Sequence, residues 1–211
     1  EINHMGTENL IQAANFYGVR RFIFLSTKTA SYDGGAYALS KFLAEKSLIK
    51  SDLDWTIIRL AEVYGMERND SVRKIIDVVK KGHPLPIVGK GTSTLSPVFV
   101  DDVANAIKII LEKGSTSNHI YELVGPEIFT YKSLYQFISD CLGLRRKLVP
   151  IPFWLAKIGV AIIEKTHLNL ITKDQLLLFK EDNISSNQNK SFKDLGISPK
   201  TVREVLKIIL F

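Results

Sequence analysis

Two short apolar runs, Arg21-Phe22-Ile23-Phe24-Leu25 and Trp55-Thr56-Ile57-Ile58, constrain the fold more than any other feature of this chain. Neither alternates apolar with polar residues, so neither suits a strand with one wet face. Continuous runs of this length suit strands buried on both faces of a parallel sheet. Helical patterns accompany them. Residues 3 to 17 carry Leu10, Ile11, Ala14 and Phe16 near helical spacing, and Gly18 ends the segment. After a polar, Gly-containing loop at 28 to 35, residues 36 to 50 return to helix. The order helix, strand, loop, helix, strand predicts a parallel α/β sheet.

The remainder alternates less strictly. A helix is expected at about 70 to 81, followed by the loop Gly82-His83-Pro84-Leu85-Pro86 and the turn Gly89-Lys90-Gly91. Leu95 to Val100 reads as extended, and Asp101 or Asp102 starts a helix to about Lys113. Ile120 to Val124 is a strand, Thr130 caps a helix to Leu142, and Leu148-Val149-Pro150 leads to a helix from about Pro152. Two more helices fit 172 to 181 and 199 to 209, with Pro199 at a favoured first-turn position. We expect a smaller lobe packed on the sheet, with no flexible linker, no internal repeat and no low-complexity tract.

Bulk properties exclude several function classes. The 211 residues are 45% hydrophobic and 24% charged, an ordinary globular balance. The formal charge is +6, but its tightest cluster is only Arg145-Arg146-Lys147, and no nucleic-acid-binding signature accompanies it. Nucleic acid is therefore not expected as a partner. The longest apolar stretch, Ile151 to Ile163, is broken by Pro152 and Lys157 and is too short for a membrane span, which needs ~20 apolar residues. The face Phe153-Trp154-Leu155, Ile158, Ala161-Ile162 is read as packing onto the lobe, the alternative being a membrane or apolar-substrate face. The single cysteine, Cys141, allows no internal disulfide, fits a reducing, cytoplasmic compartment and is read as core. His4, His83, His119 and His167 lack ligand spacing, so no metal site is expected.

One constellation carries chemistry. Tyr37 and Lys41 lie four residues apart on the second helix and so share a face. An ammonium beside a phenol favours the phenolate, which would make Tyr37 a usable acid/base. The preceding strand ends in Ser26-Thr27, and either hydroxyl could bond a reacting oxygen. Spacing alone, however, is equally that of a surface pair worth a few tenths of a kcal/mol.

The surrounding motifs give the pair its meaning. INHMGTENLIQAA, RRFIFLST, YALSKFLAEK, WTIIRLAEVYG, LSPVFVDDVANAI and YELVGPEIFTYKSL follow one another in an order that resembles the extended short-chain dehydrogenase/reductase family, the NAD-dependent epimerase/dehydratase group. The resemblance runs over about residues 2 to 140 and more loosely to the end. It implies the second half of a Rossmann-like doubly wound parallel sheet with a smaller α/β substrate lobe, divided as residues 1–65 and 66–211, with some elements of the second part returning to the sheet. It implies NAD or NADP as cofactor, a small-molecule substrate, and a homodimer as an open option. By position, Thr27 falls at the catalytic hydroxyl, with Ser26 as second candidate. Tyr37 would be the acid/base, and Lys41 would hold the nicotinamide ribose. Leu60, Ala61 and Val63 would line the nicotinamide, and Glu62 would face substrate. Asn3 matches a structural asparagine of the first helix. Asp101 and Asp102 are expected in a cap and in polar contacts to nearby loops.

Departures are as informative. Nine residues separate Thr27 from Tyr37, fewer than in typical sugar-nucleotide epimerases, and Glu62 replaces an asparagine that contacts substrate there. A carboxylate beside a diphosphate is repulsive. Both changes point toward atypical members, including those similar to the accessory NAD(P)H-binding subunit of respiratory complex I, where cofactor is held without turnover. Neither Gly-x-Gly-x-x-Gly nor Gly-x-x-Gly-x-x-Gly occurs, and Gly89-Lys90-Gly91 reads as a tight turn. With Glu1 opening inside a helix, the expectation is a fragment. Its front part would supply the first four family strands, the strand at 21 to 25 would expose an edge, and the piece alone would bind dinucleotide poorly.

Overall fold

A computed structural model of the chain describes residues 2–65, 70–82, 84–165 and 189–210. In chain order its elements are α1 (Ile2–Phe16), β1 (Arg21–Thr27), α2 (Gly35–Ile49), β2 (Asp54–Leu60), β3 (Val63–Tyr64), α3 (Ser71–Lys81), β4 (Leu85–Val88), β5 (Thr94–Leu95), β6 (Val98–Phe99) and α4 (Val100–Glu112). There follow β7 (His119–Leu123), β8 (Phe129–Thr130), α5 (Tyr131–Cys141), β9 (Leu148–Ile151), α6 (Phe153–Lys165) and, after a 3-10 turn at Phe192–Leu195, α7 (Val202–Leu210). The helix expected at 172 to 181 lies outside the described residues, as do His83 and His167.

The described residues fall into two compact units. The first combines those of Glu1–Ala61, Val100–Val124 and Ser185–Pro199. Its centre is a parallel three-stranded sheet in the order β1-β2-β7. The register pairs Phe24 with Ile57 and Ile57 with Ile120, then Ser26 with Arg59 and Arg59 with Glu122. Partners in register project to the same face. Phe24 and Ile57 pack with Leu48 and Ala44 of α2 and with Ile11 and Ala14 of α1, and Ile120 borders them. One step toward the carboxyl ends, the same face turns polar: Ser26, Arg59, Glu122. The apolar row makes the core, and the polar row lies next to the carboxyl ends of the strands, the side on which ligands bind in open α/β sheets.

Arg21 closes the other end of the sheet. Its guanidinium donates to the Asp54 carbonyl, the Ser117 hydroxyl, the Ile110 carbonyl and the Thr116 hydroxyl. Asp101 and Asp102 do not serve as the cap expected of one of them. The α4 helix begins at Val100, so both carboxylates lie within its first turn, where they complement the positive end of the helix dipole.

The second unit comprises the described residues of Glu62–Phe99, Gly125–Ile184 and Lys200–Phe211. Its core gathers Val72, Ile76 and Val79 of α3, Leu134 and Ile138 of α5, and Val202, Val205 and Leu206 of α7. Local signals set these helices. Asp70 caps α3 by accepting from the Arg73 amide at 2.7 Å, and Gly82 ends it at φ 82°. A reciprocal box of Thr130 and Ser133 starts α5. Leu85–Val88, expected as loop because of its prolines, is instead β4, paired parallel to β9. Two-strand pairing leaves an open edge, which tolerates a missing proline donor. The expected packing of the α6 face is not seen, since Trp154, Leu155 and Ile158 are exposed. Cys141 borders the core, partly buried.

Gly125 is required by space. A Cβ there would land on the Pro97 carbonyl oxygen, which is backbone and cannot swing away. Gly125→Ala should therefore lower the unfolding midpoint in urea, with a loss of about 1–3 kcal/mol. An unchanged midpoint would show that this strand-end approach is looser than described.

Candidate functional site

The carboxyl end of β1 delivers Ser26 and Thr27, and the first turns of α2 deliver Tyr37 and Lys41. A side-chain relay fixes that turn. Asn3 of α1 donates to the Ser40 hydroxyl at 3.1 Å, and Ser40 donates to the Tyr37 carbonyl at 2.8 Å. The Lys41 ammonium donates to the Leu25 carbonyl at 2.8 Å and lies 4.8 Å from the centre of the Phe24 ring. The lysine is thereby pinned against the end of β1. Thr27 exchanges a hydroxyl contact with Thr29 at 3.0 Å and accepts from the Thr29 amide at 3.3 Å. Ser26 is 5% exposed, and its hydroxyl has no hydrogen-bond partner among the described residues. A buried unpaired hydroxyl costs about 1–3 kcal/mol.

Tyr37 is 49% exposed. Its phenol is raised above the ordinary tyrosine value by burial, not lowered by Lys41 as the spacing suggested. Lys41 is itself pushed below the ordinary lysine value by burial, against the pull of Glu45 toward the charged form.

The residues expected around the nicotinamide fall in both units. Leu60 ends β2, and the Ala61 amide donates to the Leu123 carbonyl within the first unit. Val63 starts β3, paired with Val98 in the second unit. The Glu62 carbonyl accepts from the Val98 amide, and its carboxylate helps burial to hold the Tyr131 phenol well above the tyrosine range.

A charged cluster lies under this corner. Glu45 is one turn beyond Lys41, so Tyr37, Lys41 and Glu45 share one face of α2. Arg59 grips Glu45 with Nε at 3.0 Å and Nη2 at 2.6 Å. Arg59 also approaches Glu122 at 4.0 Å, and Glu122 accepts from Lys28 at 3.2 Å and from Asn189 at 2.7 Å. Glu45 and Glu122 are each 1% exposed. Sequence patterning passed over them because buried carboxylates look like surface ones. The usable signal was the third member of the i, i+4, i+8 row, Glu45. Among the described residues, no group of three or more His, Cys, Asp and Glu could hold a metal, and no helix is long and apolar enough to cross a membrane.

Residues 1–123 match the model of the NAD dependent epimerase/dehydratase family, and the chain belongs to that NAD(P)-dependent family. It is 31% identical over 212 residues to NADH dehydrogenase (ubiquinone) 1 alpha subcomplex subunit 9, mitochondrial, of Arabidopsis thaliana, covering 94% of this chain and 52% of that protein. It is 25% identical over 188 residues to a UDP-glucose 4-epimerase of Vibrio cholerae, covering 80% of this chain and 57% of that one. The chain thus spans about half the length of these curated relatives. Among solved structures, a UDP-glucose 4-epimerase of Thermotoga maritima with UDP-glucose superposes at a TM-score of 0.72 and 22% identity, over 99% of this chain and 68% of that one. A dTDP-glucose 4,6-dehydratase of Streptomyces venezuelae with NAD bound gives 0.71 and 21%, over 99% and 64%. The fold is accordingly the Rossmann-like α/β fold of these enzymes.

Two outcomes check the site. Arg59→Met should cost about 3–5 kcal/mol in urea unfolding because it strands the buried Glu45, whereas pairing it with Glu45→Leu should recover most of that loss. Second, Tyr37 should titrate above 10.0, the ordinary value, when followed by carbon-13 NMR of its ζ carbon and assigned with Tyr37→Phe. The folded chain holds that proton more tightly than the unfolded one. The linked stability is fully present below pH 10.0 and is lost as pH rises through the folded value. A midpoint at or below 10.0 would contradict the burial described.

Proposed function

We propose that this chain carries the acid/base corner of an NAD(P)-dependent oxidoreductase, epimerase or dehydratase acting on a nucleotide sugar or another carbonyl or alcohol substrate. The observation that carries this is the arrangement of Lys41. Its ammonium is anchored on the Leu25 carbonyl near the carboxyl end of β1, the strand that ends in Ser26 and Thr27, and Tyr37 lies one turn back on its own helix.

On this reading the corner would take the nicotinamide end of such a cofactor. Lys41 and Tyr37 would hold its ribose, with Leu60, Ala61 and Val63 beside the ring. Bound there, NAD(P) supplies the partner for hydride transfer. Thr27 would donate a hydrogen bond to the substrate oxygen, with Ser26 as the second hydroxyl. Tyr37 would take the proton from that oxygen as an alcohol is oxidised, or return it as a carbonyl is reduced. Burial alone leaves Tyr37 a weak base. A second hydrogen bond from the Lys41 ammonium to the phenol region on ligand binding would lower its pKa toward the working range. Glu62, engaged near Tyr131, favours a substrate group that donates hydrogen bonds over a diphosphate. The partners on this reading are a dinucleotide and a small molecule, in a cytoplasmic protein that could act as a homodimer.

A second reading has its own support. The 31% identity to the plant subunit named for NADH dehydrogenase favours a cofactor-holding accessory subunit with protein partners and no turnover. That subunit's name is mitochondrial, and so the location would differ as well.

The full-length protein and its Tyr37→Phe variant separate the two. Enzymatic function predicts that NAD(P)H binding, followed by fluorescence, survives in the variant. Turnover across a panel of sugar nucleotides and simple carbonyls should fall at least ~100-fold. If both forms bind NAD(P)H and neither turns over any substrate, the accessory reading holds.

A further inference from the structure

The sheet of the first unit ends differently on its two sides. Beyond β7 it continues: the Glu122 amide donates to the Lys190 carbonyl at 2.7 Å, and the Lys190 amide donates to the Ile120 carbonyl at 3.1 Å, in a parallel bridge of Tyr121 with Lys190. Beyond β1 no strand follows among the described residues. Backbone groups of successive strand residues turn alternately to one neighbour and to the other. The Arg20 carbonyl accepts from the Asp54 amide, and the Lys28 amide donates to the Leu60 carbonyl, both at 2.8 Å. The even-numbered residues of β1 therefore face β2, and Ile23 and Leu25 turn their amides and carbonyls to the outer edge.

One of these outward groups is occupied. The Lys41 ammonium donates to the Leu25 carbonyl at 2.8 Å and lies 4.8 Å from the centre of the Phe24 ring. Phe24 packs on the α2 side of the sheet, so the lysine passes over that ring and caps the edge from the helix side. A ladder amide would approach the same carbonyl oxygen, at about 2.9 Å and near its plane. A lysine set on an open edge opposes pairing, and the uncharged run Phe22-Ile23-Phe24-Leu25 is the kind of segment that invites it. The pairings β1-β2, β2-β7 and Tyr121 with Lys190 are all parallel, so a parallel strand continues the pattern. Polypeptide to supply one exists in the curated relatives, of which this chain covers 52% and 57%.

We propose that Lys41 is a latch on the outer edge of β1: a parallel apolar strand, from the part of the full-length protein outside these 211 residues, takes the Leu25 carbonyl with an amide of its own and releases the Lys41 ammonium to the cofactor corner. Pairing of the edge and holding of the cofactor are then coupled through one side chain. The use made of the released ammonium rests on the role proposed above for Lys41. The latch itself does not, because its test involves neither cofactor nor turnover.

The test is NMR of the cofactor-free full-length protein beside the 211-residue chain. In the chain, the ε protons of Lys41 should show a nuclear Overhauser contact with the Phe24 ring. The outward amides of Ile23 and Leu25 should exchange at least ~100-fold faster than the inward amides of Phe24 and Ser26. In the full-length protein the Phe24 contact should be lost, and the four amides should exchange within about tenfold of one another. If the chain alone does not fold by circular dichroism, Ile23→Pro in the full-length protein takes its place. That change removes one outward donor and no bond to β2, so the Phe24 contact should reappear and the Leu25 amide should exchange faster. The proposal is overturned if the outward amides of the full-length protein exchange freely, or if they are slow while Lys41 keeps its Phe24 contact. Protection of those amides in the chain that rises with concentration would put a second copy on the edge and would overturn the choice of partner. A latch that behaves as expected in a protein that binds no NAD(P)H would sink the cofactor reading alone.

Discussion

The grip of Arg59 on Glu45 is the interaction on which the first unit depends. It joins the middle strand of the parallel sheet to the helix that carries Tyr37 and Lys41. A guanidinium and a carboxylate removed from water are costly unless each finds nearly all its partners. Here the two-point geometry meets that requirement. Glu122 then serves the other side of Arg59, and Lys28 and Asn189 serve Glu122. Each buried charge thus obliges the next. The obligation fixes the helix against β2, and the end of β1 against β7.

The pair also marks a boundary in the sheet. One row toward the amino ends, Phe24, Ile57 and Ile120 occupy the same face and form the core with α1 and α2. At the next row on that face the environment becomes polar. Hydrophobic burial holds the helix at the lower row, and charge pairing orients it at the upper one. The relay from Asn3 through Ser40 to the Tyr37 carbonyl adds a third restraint, at the turn that bears the phenol. A pre-set corner of this kind suits acid/base chemistry, because little has to be reorganised when a ligand arrives.

Much of the fold was legible in particular residues. The continuous runs at 21 to 25 and 55 to 58 announced parallel strands, since only burial on both faces accounts for unbroken apolar sequence. Thr130 and Gly82 marked helix ends through capping chemistry that operates within a few residues. Other features were not legible. Leu85–Val88 becomes β4 only because β9, some sixty positions later, supplies its partner, and the prolines argued locally against it. Trp154, Leu155 and Ile158 have the composition of a packed face and are exposed.

For the site, the sequence by itself determined the family, the order of the motifs and the placement of Tyr37, Lys41 and Glu45 on one helical face. Those follow from spacing along a single helix and from residues adjacent in the chain. Only the tertiary structure decided what surrounds them. It pins Lys41 to the Leu25 carbonyl, raises Tyr37 by burial, and brings Lys28, Arg59 and Glu122 together from three separate segments. The physical reason is the range of the forces. Helical spacing and capping act over a few residues, whereas desolvation and the pairing of buried charges depend on which distant segments the sheet register makes neighbours.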